Sequence, residues 1–408
     1  MTAIDEPFST PLEDLTFPMS RDGKCPFDPP PAGIAAQNAT PLHRVTLWDG
    51  SRPWLVTRYA EQRALLSDPR VSADVRNPGY PSPAAHSGGG GSLSFILMDD
   101  PEHARLRRMV TAPFMVKRIE SMRPAVQKIV DELLDEMLAG PKPVDLVQAF
   151  ALPMPSLVIC ELLGVPYADH DFFQENSNLI IKRGVSSEEQ RKALGWLIAY
   201  LRQLLTVKLQ HPEEDILTDL ARRVDIGELT ADEAAQMGVL LLVAGHETTA
   251  NMVALGTLAL LQHPEQLTRF RRIEDPDLSS AAVEELLRYL TIAHDGRKRV
   301  ATQDIEIAGH VIKAGEGLII ATDLGNRDPL AFNNPQSLDI SRDARHHVAF
   351  GFGVHQCLGQ PLARMELQVA YTTLFRRLPN LALAAELVNL QFKHDAAVYG
   401  VYELPVTW

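Results

Sequence analysis

The chain has 408 residues, 45% hydrophobic and 22% charged, ordinary globular proportions that argue against wholesale disorder or a fibrous repeat. A net charge of −13 disfavours a general nucleic-acid binder, and three scattered cysteines, Cys25, Cys160 and Cys357, form no disulfide framework and fit a reducing compartment. No basic stretch followed by an apolar core opens the sequence, and the longest nearly apolar run, 237–245, falls far short of the roughly 20 residues that cross a bilayer; a cytoplasmic protein with no membrane partner is expected.

The first 55 residues are proline-rich (Pro26, Pro29, Pro30, Pro31, Pro41) and read as irregular chain laid on a surface. A short helical pattern over 57–67 stops at Asp68-Pro69. The stretch 77–92, with Pro78, Pro81, Pro83 and four consecutive glycines, suits neither helix nor central strand and has the length of a lid or binding loop. No Gly-Lys-Ser/Thr follows the glycines, so it is not a phosphate loop. Helical patterns then dominate. One over 101–115 opens with Asp99 and Asp100 as caps and Pro101 near the first helical position. Another, over 118–138, repeats apolar residues at the 3.6-residue period. Further helices are expected over 154–163, 169–182, 187–210 and 213–223.

Thr230 and Glu233 form a capping box, and the helix they start should run to His263-Pro264. At 1.5 Å per residue that is about 50 Å, enough to cross a whole domain. After a helix over 277–290 the texture changes to strands at 299–307, 310–312 and 318–320, then a last long helix over 358–377 and short strands over 381–408. The fold class expected is mainly α with a smaller β portion, as a single domain over 1–408 with its helix-rich core in 56–290 and 357–377.

The sharpest local feature is the run Phe350-Gly351-Phe352-Gly353-Val354-His355-Gln356-Cys357-Leu358-Gly359. Its glycines let the backbone turn tightly against something flat, and Cys357 precedes a helix whose free N–H groups and dipole favour a thiolate. A glycine-wrapped thiolate beside an aromatic suits an axial ligand to haem iron, although a lone cysteine is more often a buried structural residue. Zinc held by His346, His347, His355 and Cys357 fails on spacing, since no second cysteine lies close by. His246-Glu247 lacks the second histidine of a zinc-protease motif, because position 250 is alanine.

The run from Phe350 to Gly359 resembles, without a gap, the haem-binding loop of the cytochrome P-450 family of haem-thiolate monooxygenases. Ala244-Gly245-His246-Glu247-Thr248-Thr249 resembles the oxygen-activation segment of that family's long central helix. Glu285-Leu286-Leu287-Arg288 is similar to its Glu-x-x-Arg pair, and 101–107 to its haem-contacting helix start. The runs 152–173 and 403–408 resemble the soluble actinobacterial branch that includes vitamin D hydroxylases.

The resemblance implies a long central helix over haem b and a cysteine loop beneath it, with Cys357 as the metal ligand and Phe350, Gly351, Gly359 and Ala244 against the cofactor. The haem propionates would meet His103, Arg107, Arg299 and His355, with Arg297 as the rival of Arg299. Arg342 would join the Glu285–Arg288 pair. Thr248 and Glu247 are the implied catalytic pair. Leu240, Val243, Ala244, Glu247 and Thr248 share one helix face, Gly245 permits a local widening, and Glu247 should trade protons with solvent by swinging away from the pocket. The bland alternative for Thr248 is a bond back to the Ala244 carbonyl.

The implied activity is monooxygenation: hydroxylation of a small apolar substrate, a polyketide, terpenoid, sterol-like molecule or xenobiotic, with O2. No Gly-x-Gly-x-x-Gly fingerprint is present, so electrons from NAD(P)H must come through a ferredoxin and ferredoxin reductase. Arg107 or Arg108, Arg345, His346, His347 and Arg364 are the expected docking cations. The substrate pocket should draw on Leu97, Leu240, Val243, Ile292, Ala293 and Val398, in a protein that acts as a monomer. The alternatives are a haem-thiolate peroxygenase or isomerase, and a non-enzymatic haem- or ligand-binding protein; neither needs both Glu247 and Thr248.

Overall fold

The structure, a computed structural model, describes residues 15–21, 25–82, 95–181, 185–272 and 276–408. Its helices are α1 Pro31–Ala39, α2 Tyr59–Leu66, α3 Glu102–Met109, α4 Val116–Ala139, α5 Pro153–Leu163, α6 His170–Ile181, α7 Ser187–Gln210 and α8 Ile216–Asp225. They continue with α9 Ala231–Gln262, α10 Pro264–Arg271, α11 Pro276–Leu290, α12 Thr322–Gly325 and α13 Gln360–Arg377.

The axis of the molecule is α9, and the expected capping box opens it. The Thr230 hydroxyl accepts from the Glu233 amide, and the Glu233 carboxylate accepts from the Thr230 amide. Helices α5, α7, α8 and α13 pack around it, and every residue from Thr249 to Leu260 is buried. The helix is apolar and long enough to cross a membrane, but most of that apolar stretch is enclosed by other helices.

Short strands edge the helical body: β1 Leu42–Arg44, β2 Trp54–Val56, β3 Val71–Ser72, β4 Val144–Asp145, β5 Arg297–Ala301, β6 Ile305–Ile307, β7 His310–Ile312, β8 Gly317–Ile320, β9 Ala382–Leu383 and β10 Pro405–Thr407. The largest sheet has the order β1-β2-β8-β5-β3, with β2 parallel to β8 and the other pairs antiparallel. Strand β5 matters most for the site, because its register pairs Arg297 with Ile320 and Arg299 with Leu318.

Several expectations need correcting. The opening 55 residues are not all irregular: α1 starts at Pro31, where a missing N–H costs nothing at a first helical position, and alanines follow. The expected strand 299–307 is two strands, broken where the Thr302 amide turns aside to the Arg70 carbonyl. The expected helix 101–115 ends at Met109 and passes into a 3-10 turn, Ala112–Phe114, around Pro113. Of its two caps only Asp100 serves, accepting from the Ala104 amide at 3.0 Å, while Asp99 accepts from the Ala73 amide at 2.9 Å beside β3. Within the expected lid, 77–82 is tied down, with the Tyr80 hydroxyl donating to Lys298 O and the Trp48 indole to Ser82 O. The remainder, 83–92, lies outside the described residues.

Candidate functional site

The cysteine loop is held from every side. Gly351 and Gly353 have φ of +73° and +74°, the left-handed region that side chains rarely adopt. A Cβ on Gly353 would sit 2.3 Å from the Leu66 carbonyl oxygen, so α2 fixes how the loop lies. The Cys357 amide donates to Phe350 O at 2.9 Å, and Arg107 Nη2 donates to Gln356 O at 2.6 Å. Guanidinium groups of Arg63 and Arg364 lie over the Phe352 and Phe350 rings.

Beneath the loop runs the buried network implied for Glu285. Arg288 donates to both its oxygens, at 2.7 and 2.8 Å, and Arg342 Nε adds a third bond at 3.1 Å. Arg288 also donates to the Asn326 carbonyl, and Asn326 Oδ1 accepts from the Val348 amide at 2.8 Å. The chain of bonds therefore reaches the segment that enters the cysteine loop.

His103, His355, Arg297 and Arg299 bring further donors to the loop, several of them only partly satisfied. Alternation along β5 puts Arg297 and Arg299 on one face and Lys298, beside Asp295, on the other. Arg297 Nη2 donates to Ala349 O at 3.0 Å and Arg299 Nη1 to Lys298 O at 2.7 Å; neither pairs with a carboxylate among the described residues. The Arg297–Arg299 alternatives are thus both at the site. The His103 and His355 rings lie 4.1 Å apart. His103 Nε2, His355 Nδ1 and Arg297 Nε are buried with no hydrogen-bond partner among the described residues. His355 is not the cation expected: burial, then Arg299, His103 and Arg107, push it down to about 3. Its neutral imidazole offers a hydrogen bond rather than a charge.

Helix α9 shows an accessible stripe. Gln236, Leu240, Val243, Ala244, Gly245 and Thr248 are exposed or half-buried, whereas the residues between them, and those from Thr249 to Leu260, are buried. Spacings of four, three and one residues keep them on one helix face. The Thr248 hydroxyl donates to the Ala244 carbonyl at 2.8 Å. Gly245 does not mark a widening: α9 is continuous, and a Cβ there would meet Ile159 of α5 at 2.7 Å. The Glu247 side chain is turned inward in this conformation. It is buried, its Oε1 accepting from Lys393 Nζ at 2.9 Å, and Asn251 Nδ2 donates to its carbonyl at 2.7 Å. Burial would push its carboxyl up, but Lys393 first, then His246 and Asn251, hold it below the ordinary range.

The six residues expected to line the pocket are all half-buried. Leu97 ends the 3-10 turn Phe95–Leu97, while Leu240 and Val243 belong to the α9 stripe. Ile292 and Ala293 follow Thr291, whose φ of 36° turns the chain sharply off the end of α11. Val398 lies in a hairpin closed by the Phe392–Val401 bridge. Two bonds bring these segments together, Tyr399 N to Ile292 O at 2.8 Å and His294 Nε2 with Ala396 O at 2.7 Å.

Cys357 is accessible, yet burial pushes its thiol up, opposed by Arg297, the Gly359 amide, Arg107 and Arg364. An accessible thiol in desolvated surroundings, an accessible apolar stripe on α9 and unpartnered buried donors are the chemistry that a flat apolar disc carrying carboxylates needs. Among the described residues no cluster of three or more His, Cys, Asp or Glu could hold a bare metal ion.

Comparison with known proteins agrees. The cytochrome P450 family profile matches residues 202–381. Cytochrome P450 GfsF of Streptomyces halstedii is 57% identical over 403 residues, covering 98% of this chain and 97% of that protein. The chain belongs to the cytochrome P450 family. The crystal structure of GfsF superposes with a TM-score of 0.92, covering 97% of this chain and 100% of that one. Vitamin D3 dihydroxylase of Streptomyces griseolus is 48% identical, over 96% of each chain, which supports the branch expected. Mycinamicin VIII C21 methyl hydroxylase of Micromonospora griseorubida, solved with mycinamicin VIII bound, is 45% identical with a TM-score of 0.91, over 97% and 100% of the two chains. As a cytochrome P450 this protein is a haem b monooxygenase, an oxidoreductase whose electrons originate in NAD(P)H and arrive through redox partners.

Four of the expected docking cations are engaged elsewhere. Arg364 forms a two-pronged pair with Glu284 at 2.6 and 3.0 Å, and His347 is buried against the same carboxylate at 3.1 Å. His346 stacks on Phe332, and Arg107 is bound to the loop carbonyl. Arg108 and Arg345 stay exposed. The sequence reading also missed Tyr80, beside Arg299, and Lys393. Tyr80 stands between Gly79 and Pro81, a possible signal for a pinned loop; nothing in the pattern around Lys393 marks it.

Proposed function

We propose that the whole chain works as one haem-thiolate monooxygenase unit that hydroxylates a polyketide, terpenoid, sterol-like molecule or xenobiotic, using electrons from a ferredoxin and its reductase. The observations that carry this reading are the accessible yet desolvated Cys357, the accessible stripe on α9, and the orphaned donors on His103, His355 and Arg297. Cys357 would ligate the iron, and His103, Arg107, Arg297, Arg299 and His355 would hold the propionates, whose burial needs donors. Haem, when bound, supplies oxygen activation, with thiolate donation favouring O–O cleavage.

The protein's share is orientation and proton supply. Because the Thr248 hydroxyl donates to Ala244 O, its lone pairs are left to accept from a water in the groove, so the helix-interior bond and a catalytic role coexist. Glu247, held as a carboxylate, is the nearby group that can take a proton from outside and pass it on. Leu97, Leu240, Val243, Ile292, Ala293 and Val398 exclude water and orient an apolar substrate. Arg108 and Arg345 would receive the acidic ferredoxin. We place the protein in the cytoplasm as a monomer.

The test follows the haem absorption shift on adding vitamin D3, mycinamicin VIII or filipin I, then turnover with NADPH, ferredoxin and reductase, and separately with hydrogen peroxide. Hydroxylated product with the reduction system supports the reading; turnover with peroxide alone supports the peroxygenase. Thr248→Ala should keep haem binding and NADPH consumption but divert electrons into hydrogen peroxide, lowering product per NADPH by on the order of 10²-fold, the lower end of what a placed proton donor contributes. Full product yield in that variant would reduce Thr248 to a helix-interior threonine.

A further inference from the structure

The accessible stripe of α9 does not stop at Thr248 for want of helix. Glu247 and Asn251 continue the same face, seven and eleven residues beyond Leu240, yet both are buried. What covers them is the hairpin around the Phe392–Val401 bridge. Lys393 and Gly400 are paired across it, with the Lys393 amide donating to Gly400 O at 2.8 Å. Gly400 is pressed against the helix so closely that a Cβ would fall 1.7 Å from Asn251 Oδ1. Beside that contact Lys393 Nζ reaches Glu247 Oε1 at 2.9 Å, with both side chains buried. The other end of the hairpin carries Val398 and bonds to the Ile292–His294 segment, so one short element touches both the expected pocket and the acid.

We propose that Lys393 is a positioning residue for proton delivery: it fixes the Glu247 side chain at the end of the stripe and keeps it ionised. The proposal rests on the reading of Glu247 as the proton-passing acid. The charged and titratable groups that face Glu247 are His246 on its own helix, with Lys393 and Tyr402 from the hairpin; Tyr402 in turn donates to Asp395. Burial disfavours the histidine's charge, since it is enclosed on α9, which leaves Lys393 as the full cation within bonding distance. A buried carboxylate deprived of its cation takes up a proton instead. Tyr402 is exposed and its ring lies 5.8 Å from Lys393 Nζ, on the solvent end of the hairpin's cation.

The experiment uses haem-loaded wild type, Lys393→Met, Lys393→Arg, Gly400→Ala and Glu247→Gln. Infrared spectra at pH 7 read the acid directly: Lys393→Met should gain a protonated-carboxyl band that disappears again in Lys393→Met/Glu247→Gln, while Lys393→Arg should resemble wild type. Gly400→Ala, which keeps the lysine but forces the hairpin and the Asn251 side chain apart, should speed hydrogen exchange over 391–402 and show part of the same band. In NADPH-driven oxygen consumption with ferredoxin and reductase, measured without added substrate, Lys393→Met should move the acid limb of the pH profile upward and enlarge the solvent isotope effect, as Glu247→Gln does. No carboxyl band in Lys393→Met at pH 7 beyond those of wild type, with Glu247→Gln still altering the isotope effect, overturns the role of Lys393 alone. An isotope effect unchanged in Glu247→Gln overturns the reading of the acid, and the proposal with it.

Discussion

Two buried acids, one bonded to the segments that support the cysteine loop and one on α9, are held in opposite ways. Glu285 is wholly buried, and both its oxygens are bound, by Arg288, Arg342 and the Asp339 amide. Nothing is left for it to do but hold its partners still. Glu247 lies next to the accessible stripe, and Oε1 carries both of its side-chain bonds, from Lys393 and Asn251. A third acid, Glu366 on α13, meets the Thr249 hydroxyl at 3.2 Å and no cation among the described residues, and burial pushes it up to about 8. The contrast teaches that burial alone does not set the role of a carboxyl group. The number of cations that reach it decides whether it is locked, poised or neutral.

Four substitutions break or sharpen that contrast. The largest effect is expected at the locked acid. Glu285→Ala strands Arg288 in the core, and removing one member of a buried ion network costs about 3–5 kcal/mol. Chemical denaturation should show a loss of that size, with haem uptake failing alongside it; a loss below about 1 kcal/mol would mean the network is dispensable.

Next comes the neutral acid. Its folded pKa lies above its unfolded value, so stability is fully present below the unfolded carboxylate range and falls as pH rises towards about 8. Glu366→Gln should remove that slope and gain on the order of 3 kcal/mol at pH 8, with little change near pH 4. Parallel pH–stability curves for the two proteins would contradict it. The smallest effect separates the exposed cation from the engaged one. Arg108→Glu should slow reduction by ferredoxin and flatten its salt dependence. Arg364→Glu should act mainly on stability instead, because it sets a second carboxylate against Glu284. Equal salt dependence in both variants would move the docking face elsewhere.

The same contrast explains what could be read without the structure. Features fixed by neighbours in sequence were legible: the Thr230–Glu233 box, the 3.6-residue period of α4, the Glu285–Arg288 spacing and the glycine-wrapped cysteine. Features fixed by distant chain were not. Lys393 lies 146 residues from its partner, and only the packing of Gly400 on Asn251 brings it there. The downward push on His355 comes first from its burial and then from Arg299, His103 and Arg107 gathering around it, which no local pattern encodes. Arg364 looked available until Glu284, 80 residues earlier, was placed beside it.

The central claim is that the accessible, desolvated sulfur of Cys357 is the iron ligand. The carbon monoxide spectrum of the reduced, haem-loaded protein tests it most directly, because the thiolate controls the position of the band. Wild type, Cys25→Ala and Cys160→Ala should all show the red-shifted band, and Cys357→Ala should lose it while its far-ultraviolet dichroism stays that of a folded protein. An unshifted loss of nothing, the red-shifted band persisting in folded Cys357→Ala, would contradict the assignment and the site built upon it.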